Sequence, residues 1–99
     1  MNITVVWLRR AITDRDAHID YIAEDNPRAA IEQGDRIEVQ IEQLLEQPKM
    51  GRPGRIQGTR ELVISRTPFI TIYRYKPRSK RIEIIRLLHG SQQWPKLKR

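Results

Sequence analysis

One run, Arg81–Pro95 (RIEIIRLLHGSQQWP), constrains the fold more than any other part of the chain. It opens as a strand with apolar side chains on both faces. Strict alternation puts Ile82, Ile84 and Leu88 on one face and Ile85 and Leu87 on the other. A strand apolar on both sides belongs inside a sheet, with something covering each face. His89 and Gly90 end it, and Gln92, Gln93, Trp94 and Pro95 follow as a short polar tail with one aromatic anchor. The rest of the sheet must assemble around this strand, and any chemistry is expected where it ends.

The chain that has to cover it is short. With 99 residues and no cysteine, it is expected to form one domain over residues 1–99 without disulfides or thiolate zinc sites. Two histidines far apart in sequence are a poor start for any metal site, so no metal or cofactor is expected. The apolar run Ile3–Leu8 is too short for a signal-peptide core or a membrane span. The expected setting is therefore cytoplasmic, with no membrane partner.

Ile3–Leu8 (ITVVWL) is rich in β-branched residues and predicts the first strand. Arg9–Glu24 predicts a helix with Ala11, Arg15, His18 or Ile19, and Ile22 inward, and Tyr21 beside them. Arg15 and His18 are expected to snorkel at the edge of that stripe, His18 as a half-buried packing residue. Asn26-Pro27 breaks the helix and starts another, the asparagine as cap and the proline at the first helical position. The second helix is expected to reach about Glu46, with Ala30, Gly34, Ile37, Ile41, Leu44 and Leu45 on one face. Gly34 costs about 1 kcal/mol relative to alanine there, and close approach of the first helix is the expected compensation.

Gln47–Gly58, with two prolines and three glycines, reads as a loop carrying Lys49, Arg52 and Arg55. It lacks the spacing of a nucleotide P-loop. Thr59–Ser65, Phe69–Lys76 and Arg81–Leu88 then form a meander of three strands. The expected fold is α+β in the order βααβββ, an N-terminal helical hairpin packed on a mostly antiparallel four-stranded sheet. Ile37, Ile41, Leu44, Ile82 and Ile84 are its expected core.

Charge is divided along the chain. Residues 1–48 hold five arginines against ten Asp or Glu, a net of −5. Residues 49–99 hold fourteen Lys or Arg against Glu61 and Glu83 alone, a net of +12. A one-sided positive field suits nucleic acid, a ribosome or an acidic protein. Candidate target- or phosphate-binding residues are Arg52, Arg55, Arg60, Arg66, Arg74 and Arg86, with Trp94 as an aromatic anchor. No serine or cysteine nucleophile has an evident base. His89 is the candidate general acid–base if the protein is a metal-independent ribonuclease, in which case Arg60, Arg66 and Arg86 would hold the phosphate. The same arginines suit plain binding equally well.

Four runs resemble the RelE/ParE superfamily of toxins from bacterial type II toxin–antitoxin systems. They are YIAEDNPRAA (21–30), GRPGRIQGTRELVIS (51–65), TPFITIYRY (67–75) and EIIRLLHGSQQWP (83–95), in the family's order and spanning nearly the whole chain. The resemblance implies a growth-inhibiting toxin, of the kind linked to plasmid stabilisation. It also implies a cognate antitoxin, acidic and partly disordered, bound in a hetero-oligomer. RelE-like members cut mRNA on the ribosome, as mRNA interferases, and ParE-like members poison DNA gyrase. The ribonucleases look as if they need an arginine three residues before the middle-strand tyrosine and another two residues past the glycine ending the last strand. Here Ile70 precedes Tyr73, and Gln92 follows Gly90, at those spacings. Neither carries charge, and losing one such donor typically costs about 3–4 kcal/mol. The resemblance thus points to a ParE-like gyrase inhibitor. The alternatives are a RelE-like endoribonuclease and a degenerate homologue that binds antitoxin without toxicity.

Overall fold

The computed structural model describes residues 2–95. Strand β1 (Thr4–Trp7) leads into helix α1 (Arg9–Asp25), then α2 (Pro27–Glu42) with a 3-10 turn at Gln43–Leu45. Strands β2 (Arg52–Pro53), β3 (Arg60–Val63), β4 (Phe69–Lys76) and β5 (Arg81–His89) complete it. Asn26 caps α2 through its side-chain oxygen, which accepts the Ala29 N–H at 3.1 Å, and Pro27 takes the first helical position. No helix among the described residues is long and apolar enough to cross a membrane.

The strands form one five-stranded mixed sheet in the order β1-β5-β4-β3-β2. This corrects the expected four strands. Residues 52–53 of the presumed loop pair with Glu61 and Arg60, a pairing that a two-residue Arg-Pro strand cannot announce by periodicity. β1 runs parallel to β5, and the other three pairings are antiparallel. The parallel pair needs a long crossover, which the two helices supply. β5 is interior, as its doubly apolar character requires.

The alternation within β5 also departs from the simple period. Ile72 faces Arg86 while Tyr73 faces Ile84, so Ile85 is an extra residue and β5 is bulged. The bulge resets the faces. Leu87 joins Ile82 and Ile84 in the core under the helices, whereas Leu88 falls on the opposite side with Arg86.

The core lies between the helices and one sheet face: Ala11, Ile37, Ile41 and Leu44 against Ile64, Phe69, Tyr73, Ile82, Ile84 and Leu87. Tyr21 and Leu45, expected near this interface, are exposed. Gly34 is not demanded by the helical hairpin, since a Cβ there would meet only Ile19 Cδ1 at 3.8 Å, an ordinary contact.

α1 closes the outer half of β5. Beyond Trp7 no strand among the described residues lies beside it, and two α1 side chains take that place. The Asp14 carboxylate accepts the Leu87 N–H at 3.0 Å, and His18 Nε2 donates to the Leu87 carbonyl at 3.0 Å. Spaced by one helical turn, they share a helix face. His18 also packs on Phe69, ring centroids 4.8 Å apart, so it is a packing and edge-sealing residue.

Candidate target-binding face

The sheet face away from the helices gathers most of the singled-out cations, and two carboxylates organise them. Glu83, nearly buried on β5, accepts from Arg74 at 3.2 Å and from Arg81, with Lys76 Nζ at 3.8 Å. The Arg81 guanidinium, followed by the charges of Lys76 and Arg81 and the Arg74 bond, holds the Glu83 carboxyl below the usual range against the opposing effect of burial. Glu61, nearly buried on β3, accepts from Arg52 at 3.0 Å and from the Arg55 backbone N–H at 3.2 Å, and Arg55 Nε lies 3.8 Å from it. Each carboxylate holds more positive charge than it cancels, so the face stays cationic with its guanidinium groups fixed in orientation. Sequence reasoning missed both roles. The signal was there, since these are the only two acids among the cations of residues 49–99.

Arg86 is bound differently. It forms a two-bond pair with Asp14 at 2.7 and 3.1 Å, and both side chains are largely buried. Its guanidinium sits 5.4 Å from the Trp94 ring centroid, within cation–π range. Arg55 Nη1 donates to the Trp94 carbonyl at 2.7 Å. The tail is thereby tied across the open face, from β5 to the loop beside β3. The indole Nε1 is buried without a partner among the described residues.

Arg60 and Arg66 are not part of this cluster. Arg60 pairs in register with Tyr73, on the helix-facing side, and its Nη1 donates to the Lys49 and Gly51 carbonyls at 3.2 and 2.7 Å. Arg66, at positive φ in the β3–β4 turn, accepts from Arg36 through its carbonyl. Its guanidinium has no partner among the described residues. His89 pairs with Phe69, four residues along β4 from the Arg60 row. That is a separation of about 13 Å, so Arg60 is not brought to His89.

The local bonding of His89 fixes its chemistry. Nδ1 lies 3.1 Å from the Ser91 backbone N–H, which can only donate, and 2.8 Å from Ser91 Oγ. Nδ1 is therefore the acceptor nitrogen, and the neutral ring carries its proton on Nε2. Gln92 seals the turn, its Oε1 accepting the His89 N–H at 2.7 Å. Tyr73, the middle-strand tyrosine, is fully buried. Its hydroxyl donates to the Pro48 carbonyl at 2.7 Å and accepts the Gly51 N–H at 2.9 Å. Burial pushes its pKa up, against the Gly51 hydrogen bond and the Arg60 charge. It anchors the loop. The described residues contain no group of three His, Cys, Asp or Glu placed to hold a metal ion.

Residues 5–94 match the family model described as ParE toxin of type II toxin–antitoxin system, parDE. A Sinorhizobium fredii protein named "Putative toxin Y4kP" is 42% identical over 91 residues, 92% of each chain. Toxin RelE1 of Caulobacter vibrioides is 31% identical over 93 residues, 94% of this chain and 99% of its own. Among solved structures, a chain of the chromosomal ParDE TA system from P. aeruginosa superposes with a TM-score of 0.78 at 30% identity, covering 88% of this chain and 95% of its own. A chain of the RelBE2 toxin–antitoxin complex from Mycobacterium tuberculosis shares the fold, with a TM-score of 0.60 at 22% identity over 90% of this chain and 99% of its own.

Proposed function

The chain belongs to the ParE toxin family of type II toxin–antitoxin systems, within the RelE/ParE superfamily, and from that premise we propose that it arrests growth by poisoning DNA gyrase in the cytoplasm. The observation that carries gyrase over mRNA is the state of His89. A general base needs a free lone pair, and the ring's one acceptor nitrogen is already engaged by the Ser91 N–H. No other group among the described residues restores the chemistry. Tyr73 is buried under the loop, and Ile70 and Gln92 stand where a phosphate-stabilising arginine is wanted. What is left is an oriented, positively charged sheet face with Trp94 pinned across it, which suits contact with a large partner.

The test gives purified toxin both supercoiling-competent gyrase with DNA and translating ribosomes with mRNA. The expected result is blocked supercoiling or trapped cleaved DNA, with mRNA intact. Codon-positioned mRNA cuts that vanish in His89→Ala would overturn the reading in favour of a ribonuclease.

A cognate antitoxin is the proposed neutralising partner, and its two expected properties fit different surfaces. A cleft of about 490 Å³ between the helices and β1 is floored by Gly34, Ala30 and Trp7 beside exposed Ile31. Its rim carries Asp35 and Glu38 against Arg15. It suits an apolar helical segment and repels an acidic one, so the acidic part of the antitoxin belongs on the basic half of the toxin. Gly34→Leu, which fills the floor, is expected to weaken the complex. Co-purification with the protein encoded in the adjoining reading frame is the check.

A further inference from the structure

The open sheet face does not account for all of the basic half. Where β3 begins and β4 ends, two adjoining clefts of about 540 and 300 Å³ share Lys49, Tyr75 and Pro77 and form one trough. Its floor is apolar, from Pro48, exposed Met50, the Tyr75 ring and Pro77. Its polar side chains are Gln47, Lys49, Thr59, Arg60 and Tyr75, two of them cationic. The Lys49 ammonium is exposed and has no carboxylate partner among the described residues. Among the described residues Arg60 spends only Nη1, on two backbone carbonyls, leaving the rest of its guanidinium edge without a partner there. The Tyr75 hydroxyl likewise has no partner among the described residues, although its ring packs against the core. No Asp or Glu lines either cleft. This differs from the open face, where Glu61 and Glu83 already occupy the guanidinium groups.

We propose that this trough binds a short acidic peptide segment, one carboxylate received by Lys49, Arg60 and the Tyr75 hydroxyl and a neighbouring apolar side chain seated on Pro48, Met50 and Pro77. The inference rests on the toxin reading and deepens it, since the segment is the acidic stretch of the antitoxin. Charge complementarity selects the occupant. Two cations and a phenol with no carboxylate among them, on a floor of prolines and methionine, match alternating carboxylates and aliphatics. A nucleic acid would ask for more than one stacking ring and a track of cations. This chain's own C-terminal residues, Lys96, Lys98 and Arg99, have the wrong charge.

The probe is a fluorescein-labelled dodecapeptide alternating glutamate and leucine, followed by fluorescence anisotropy, with an alternating glutamine–leucine peptide as reference. Wild-type toxin is expected to bind the glutamate peptide at least tenfold more tightly than the reference. Lys49→Glu is expected to lose at least tenfold, and Tyr75→Phe severalfold with its melting temperature unchanged. Arg28→Glu, the same charge change on the exposed surface of α2, is expected to bind the peptide as wild type does. Equal affinity for the two peptides, or binding indifferent to Lys49→Glu, overturns the proposal. So does a twelve-residue oligothymidylate that displaces the glutamate peptide at lower concentration than the unlabelled peptide does. Self-association of the toxin that Lys49→Glu abolishes would assign the trough to a second copy instead, and also overturns it. These results stand apart from the fate of the toxin reading, which fails only if wild-type expression leaves growth unaffected.

Discussion

At the level of single residues, much of the structure hangs on groups whose importance is not visible in their type. Gly51 is one. A Cβ there would lie 2.7 Å from the Tyr73 ring and 2.9 Å from the Glu61 carbonyl, so the loop can approach the sheet only with glycine. Gly51→Ala is expected to cost about 1–3 kcal/mol in urea denaturation, as overpacking does. Asp14 is another. Asp14→Ala strands a largely buried guanidinium and frees the Leu87 N–H, and a loss of about 3 kcal/mol is expected. Glu83 supplies a pH signature. Its carboxyl titrates below the unfolded value of 4.5, mainly because Arg81 donates to it. Its contribution is therefore complete above pH 4.5 and lost as pH falls through the lower folded value. Against wild type, Glu83→Gln is expected to be less stable at neutral pH and to show a shallower loss below pH 4.5. Equal slopes on acid titration would refute that. Of these three residues, composition flagged only Glu83, as a rare acid in a basic half, because contacts between β3, β5, α1 and the loop leave no mark on local sequence.

Elements with a strong period were legible, and those made by exceptions to it were not. Both helices, the Asn26-Pro27 boundary and strands β4 and β5 follow from apolar spacing and cap chemistry. β2 did not, since Arg-Pro carries no alternation. The face of Leu87 did not either, because the bulge at Ile85 depends on the register of β4. The expected core of Ile37, Ile41, Leu44, Ile82 and Ile84 is buried as the spacing required. Ile41→Ala or Ile84→Ala is expected to cost about 2–5 kcal/mol, checked by chemical denaturation. Gly34 carries the opposite sign. Since its missing Cβ would make only an ordinary 3.8 Å contact with Ile19, Gly34→Ala is expected to stabilise the isolated protein by up to about 1 kcal/mol. In the candidate site, the cations were legible from charge alone. Their division into a carboxylate-bound face, a tail latch and an unneutralised trough was not, since it depends on which strands lie side by side.

For the whole molecule, the division of charge along the chain becomes a division between layers. The acidic helices lie over one sheet face, and most of the cations lie on the other face and at the sheet's end. An acidic partner therefore approaches from the sheet side, with an on-rate that falls as salt rises. Trp94 tests which role that side plays. If Trp94→Ala leaves folding and antitoxin binding intact but abolishes toxicity, the indole contacts the target. If it lowers the melting temperature with antitoxin binding lost, the indole is packing only. The sealing of β5 by α1 bears on how such a protein survives at high concentration. Where a strand ends exposed, another chain can add to it, and a sheet becomes a template for its own accretion. Here Asp14 and His18 occupy the hydrogen-bonding positions at Leu87 that an incoming strand would need. The outer strands that remain, β1 and β2, are four and two residues long. Growth of the sheet from molecule to molecule is stopped along the outer half of β5, and the two short outer strands leave an incoming chain little length to pair with.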